Sequence, residues 1–95
     1  MPTLYLHGYA PGDSVRFALD LTDDLPASDT VASFTATGGA VRETGQDVGQ
    51  APGGRADCAC LVWLDLPAGQ STTAFAATTS AGEVLHVDLV ATTQA

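Results

Sequence analysis

The sequence predicts an all-β chain folded as a two-layer antiparallel β-sandwich of six or seven strands, and three observations carry that reading. Apolar residues recur with period two in several short runs. Gly-, Pro- and Asp-rich turn signals separate those runs at the spacing of a small sandwich. No segment of helical length keeps apolar residues at i, i+3, i+4 and i+7 without a Gly, Pro or Thr cluster breaking it. The 95 residues fit one domain, 1–95, resting on a single core, because a chain this short buries only about two-thirds of its extended surface.

The elements follow in order. "TLYLHGY", residues 3–9, supplies an N-terminal strand. "SVRFALD", 14–20, alternates Val15, Phe17 and Leu19 with Arg16, Ala18 and Asp20, so one face is buried. "TVASFTAT", 30–37, carries β-branched residues and stops at Gly38-Gly39, after which "AVRE" is expected to return as a short partner strand. "TGQDVGQAPGGRA", 44–56, is rich in Gly, Pro and Gln with little apolar content to hold it, and reads as a long hairpin loop or a disordered tip. "DCACLVWLD", 57–65, is the most apolar strand, closed by the turn "LPAGQ". "STTAFAATT", 71–79, the tight connection "SAGE" and "VLHVDLVAT" form the clearest hairpin, with Leu85, Val87 and Leu89 on one face and His86 and Asp88 on the other.

Charge narrows the partners. Three arginines and no lysines against eleven carboxylates give a net charge of -8 and a pI near 4.1, which argues against nucleic acid and against an anionic membrane surface. The longest apolar run, Cys58 to Leu64, is far short of the roughly 20 residues that span a bilayer. "MPTLYLHGYA" has neither the basic start nor the apolar stretch of a signal peptide. A soluble cytosolic product, or a component of something assembled from cytosolic parts, is expected, and the Met1 start and the end soon after the last strand point to a complete gene product.

Cys58 and Cys60 are open to three readings: a redox pair, half a metal site, or core. At i and i+2 of a strand their Cα atoms stand about 6.6 to 6.8 Å apart with nearly parallel Cβ vectors, so a bridge would break the strand. Zinc needs about four N or S ligands, and beyond the thiols only the isolated His7 and His86 are on offer. Buried free cysteine packs as a small apolar side chain, which favours core filling beside Val62 and Leu64. The opposite face of that strand carries Leu61 and Trp63, which a two-layer sandwich leaves uncovered. Either the 44–56 segment folds over them or a partner subunit does.

Asp13, Asp20, Asp23, Asp24 and Asp29 crowd together, as calcium ligands do, but their spacing matches no calcium loop, and aspartates in turns commonly accept backbone hydrogen bonds. No nucleophile setting accompanies His86 and Asp88, and there is no phosphate loop and no HExxH. The expectation is a protein that is not an enzyme, with no catalytic residue, no metal site and no cofactor. A carbohydrate-binding or adhesion module is the alternative, although the aromatics Tyr5, Tyr9, Phe17, Phe34, Trp63 and Phe75 are few and several are needed inside.

Together, "APGDSVRFALDLTDDLPASDTVASFTAT", "GGAV" and "CLVWLDLPAGQSTTAFAATTSAGEVLHVDLVATT" resemble the small immunoglobulin-like structural proteins of tailed bacteriophages, of the fibre–tail adaptor or head-decoration type. The shared pattern is a first strand entering an acidic D-x-x-D-D-L-P turn, a "DTV-S" strand, a "V-W-L" strand and a "T-T-S-A-G" hairpin, covering roughly residues 10 to 93. This sequence departs from it with "DLPAG" in place of a Gly-Gly pair and with Glu83 where an arginine is usual. The resemblance implies an immunoglobulin-like sandwich and a bacteriophage virion structural protein, decorating the capsid or joining tail and fibre components. Its location would be the virion, assembled in the host bacterial cytoplasm. Its partners would be the major capsid protein or tail and fibre proteins, with the chain a homo-oligomer in the assembly. No functional residue carries over from the family. The residues themselves nominate Leu4, Tyr5, Leu6 and Tyr9 on the N-terminal edge, Leu61 and Trp63, and the 44–56 tip as partner contacts.

Overall fold

A computed structural model describes residues 2–94. Among these residues, seven strands and one 3-10 turn order as β1 (Thr3–Tyr9), β2 (Ser14–Asp20), the turn Thr22–Asp24, β3 (Val31–Thr37), β4 (Asp47–Gly49), β5 (Ala59–Asp65), β6 (Gln70–Thr79) and β7 (Val84–Thr93). They build a four-stranded sheet, β1-β7-β6-β3, and a three-stranded sheet, β2-β5-β4. The two share one hydrophobic cluster, as an all-β sandwich requires.

Alternation explains most inward residues. Leu19 on β2, Cys60, Val62 and Leu64 on β5, Phe75 and Ala77 on β6, and Val87, Leu89 and Ala91 on β7 are all buried at period two. Phe75, 1 % exposed, lies with its ring centroid 6.1 Å from Phe17 and 6.4 Å from Phe34, within aromatic contact range. β3 breaks the alternation and repairs it with a bulge. Val31 pairs with Thr79 and Ser33 with Thr78, so the extra Ala32 lets Val31, Phe34 and Ala36 all turn toward the core. Cys58 and Cys60 are free and fully buried beside Val62 and Leu64, as core filling predicts.

Three expectations are corrected. The sandwich is not wholly antiparallel: β1 runs parallel to β7, with Thr3 opposite Asp88 and Leu4 opposite Leu89. The two are far apart in sequence, so no short hairpin dictates their direction. "AVRE" does not return beside β3. Val41 bridges to Leu64, and Asp65 N–H donates to Ala40 (2.7 Å), tying this segment to the other sheet. Gly38 lets the chain leave β3 closely over β6, since a Cβ there would stand 2.4 Å from the Thr72 carbonyl oxygen. The 44–56 segment is not one hairpin loop either, because β4 lies within it and pairs antiparallel with β5, Val48 opposite Cys60. What holds it is backbone pairing, which composition does not display.

The rest of that segment clamps the crossover between the sheets. The Arg55 guanidinium donates to the carbonyls of Ala27 (2.6 Å), Pro26 (3.1 Å), Leu25 (3.2 Å), Thr22 (3.3 Å) and Asp29 (3.4 Å). Leu21 N–H donates to Cys58 O and Val31 N–H to Asp57 O, both at 2.8 Å. One side chain thus satisfies five carbonyls of an irregular stretch that has no ladder of its own.

Candidate functional site

The six nominated contact residues fall on two separate surfaces. Leu4, Tyr5, Leu6 and Tyr9 lie on β1, at the edge of the four-stranded sheet, and Leu61 and Trp63 lie on the outer face of the three-stranded sheet.

On β1 the residues divide by parity. Leu4 and Leu6 stand opposite Leu89 and Ala91 of the inward set, while Tyr5 stands opposite Val90 and points outward. Leu6 and Tyr9 are half-buried against the core, which leaves Tyr5, 72 % exposed, and Leu4, 40 % exposed, available for contact. Among the described residues the strand pairs with β7 on one side only, so its other backbone edge is open to pairing. Gly8, at φ +92°, lies within the register shift between Leu6 and Tyr9 and ends the regular edge there.

On β5, Leu61 and Trp63 are half-buried, and the chain itself supplies much of their cover. A Cβ on Gly49 would stand 2.6 Å from Leu61 Cδ1 and one on Gly45 3.1 Å from Trp63 Cδ1, so both apolar side chains lie over glycines of the 44–56 segment. The guanidinium carbons of Arg16 and Arg42 sit 5.4 and 5.3 Å from the indole centroid, within cation–π range. Arg16 is placed there by its cross-strand pairing with Trp63. Arg42 also forks onto Asp65, Nε to Oδ2 at 3.0 Å and Nη2 to Oδ1 at 2.6 Å, and Ser14 Oγ donates to Asp65 Oδ1 at 2.8 Å. The Arg42 hydrogen bonds, then the Ser14 one, hold the Asp65 carboxyl below its ordinary range, and the Asp65 bond raises Arg42. Two of the three arginines thus pack on one tryptophan.

Chemistry elsewhere is sparse. Burial pushes the Cys60 thiol up to about 12, far from the thiolate that a nucleophile or metal ligand requires. The Cys58 thiol donates to Asp29 O at 3.6 Å. Among the described residues no three His, Cys, Asp or Glu side chains converge on a metal-sized site. Asp13 accepts from Ala10 N–H at 2.9 Å. Asp20 accepts from Thr22 N–H at 3.0 Å, and hydrogen bonds from the Thr22 side chain and backbone lower its carboxyl. These are turn roles.

Sequence reasoning missed Arg16, Arg42 and Arg55. Only the pairing register reveals the first two, and Arg55 recognises backbone carbonyls that leave no trace in side-chain identity. No protein-family model matches the chain, and no curated protein matches it significantly.

Proposed function

We propose that this chain is a non-enzymatic structural protein of a tailed-bacteriophage virion, docking on capsid, tail or fibre proteins through the free edge of β1. The observation that carries the reading is Tyr5, 72 % exposed beside the 40 % exposed Leu4 on an unpaired strand edge. An exposed aromatic on an open edge suits a neighbour that adds backbone hydrogen bonds and buries the ring. The strand order supports an immunoglobulin-like assignment. β2-β5-β4 and β7-β6-β3 correspond to strands B-E-D and G-F-C of that plan, with β1 on the G side in place of the B side. The net charge of -8 keeps free copies apart before assembly, and several copies on a repeating lattice gain from effective concentration. Gold-labelled antibody against the chain, imaged on purified particles, tests the reading. Label on heads means decoration, label on tails or fibres means an adaptor, and particles without label refute a virion role.

A further inference from the structure

Charge is divided unequally between the two sheets. Of eleven carboxylates and three arginines, Asp88 alone lies on a strand of the four-stranded sheet. Register defines the outer face of that sheet. Thr35 stands opposite Ala76 and Thr37 opposite Ala74, while Thr72 stands opposite Val90 and Ala74 opposite Asp88. The alternate residues Phe75, Ala77, Val87 and Leu89 are the buried ones. Thr35, Thr37, Thr72 and Ala74 are exposed, and Ala76 and Val90 are half-buried. The strand that carries the middle of this face, β6, has β3 on one side and β7 on the other.

We infer that two copies of this chain join through that face, sheet against sheet about a two-fold axis. Distance selects the occupant. Sheets stack about 10 Å apart, so copies joined here hold their charged three-stranded sheets about 30 Å from one another, beyond a screening length of about 8 Å. Joined through the three-stranded sheets, the same carboxylates would meet across about 10 Å. The charge of -8 therefore opposes self-association at the other surfaces and not at this one. A copy also brings the same twist, which aligned sheet packing requires, whereas a face with one carboxylate gives a foreign protein little electrostatic register. Burial costs these short side chains little entropy, and threonine hydroxyls both donate and accept, so facing rows satisfy one another. Four strands of about seven residues offer about 19 by 23 Å per copy, so the pair buries about 900 Å², just under the size of a stable interface, and the dimer is a weak one.

Sedimentation of the purified chain from about 10 μM to about 1 mM at physiological salt tests this, with ¹⁵N spectra over the same range. The mass should rise toward a dimer, with shifts concentrated on β3, β6 and β7. Thr35→Glu combined with Thr72→Glu sets like charges face to face and should weaken the dimer by about tenfold or more. The matching pair Thr35→Arg and Thr72→Arg should do the same alone, and a mixture of the two variants should associate again. Melting temperatures establish that each variant is folded. Thr44→Glu, exposed in the segment before β4, adds the same charge elsewhere and should leave the dimer unchanged. A parent that stays monomeric at about 1 mM, a folded double-Glu variant that dimerises like the parent, or an equal loss with Thr44→Glu would overturn the inference. Shifts confined to β2, β4 and β5 would overturn it in favour of the opposite sheet. Purified protein suffices for every arm, so the outcome is separate from that of particle labelling.

Discussion

The Phe75 ring of one sheet lies 6.1 Å from the Phe17 ring of the other, and this contact bridges the layer between the sheets. Phe75 is 1 % exposed and also meets Phe34. Phe75→Ala should cost about 3 to 5 kcal/mol, read from urea unfolding, whereas Phe75→Leu should cost about half of that or less. Equal costs for the two would mean that the ring is not packed between the sheets.

The buried thiols should be inert in the native state. Cys60, pushed up to about 12, and Cys58, fully buried, should resist iodoacetamide at pH 8 and react only on addition of denaturant. Native-state labelling as fast as that of a free thiol would contradict their placement.

Arg55 should matter out of proportion to its exposed surroundings. Its guanidinium reaches five carbonyls of the β2–β3 crossover, which a lysine cannot fork across. Both Arg55→Lys and Arg55→Ala should lose about 1 to 3 kcal/mol on the scale of charge-assisted hydrogen bonds. Hydrogen exchange should quicken at Leu21 and Val31, whose N–H groups bond across the clamp. Unchanged exchange at both amides would remove the clamp.

The Asp65 carboxyl is lowered in the folded state by hydrogen bonds from Arg42 and then Ser14. A folded value below the unfolded one adds stability that is fully present above the unfolded value, near 4, and is lost as the pH falls through the folded one. Asp65→Asn should therefore melt slightly below the parent at pH 7, and the gap should close as the pH drops below the ordinary carboxylate range. Asp20, lowered by Thr22, acts in the same window. A gap that widens on acidification would reverse the assignment. Exposure of the Arg42–Asp65 pair keeps the effect small.

Much of the fold was legible because side-chain parity and burial coincide in β2, β5 and β7. Val15, Phe17 and Leu19, then Cys60, Val62 and Leu64, then Leu85, Val87 and Leu89 each announce one inward face. Where pairing depends on the backbone the residues stay silent. Ala32 does not announce a bulge, Asp47-Val48-Gly49 does not look like a strand, and nothing in "TLYLHGY" says that β1 runs parallel to β7. For the candidate site, the sequence nominated Leu4, Tyr5, Leu6 and Tyr9 together as edge contacts, whereas burial divides them, with Leu4 and Tyr5 exposed and Leu6 and Tyr9 packed against the core. The need to cover Leu61 and Trp63 was also visible. That Gly45, Gly49, Arg16 and Arg42 provide much of the cover depends on cross-strand register, which composition does not encode.

Incorporation of Tyr5→Glu protein into particles tests the proposed docking edge most directly. The side chain is outward and 72 % exposed, so the variant should keep the parent's melting temperature within about 2 °C, a surface-substitution effect. In particles grown with the variant as the sole source, the chain should be absent or depleted by about tenfold or more, because a charge replaces the buried ring. Parent-level incorporation of the folded variant would show that β1 does not carry the contact.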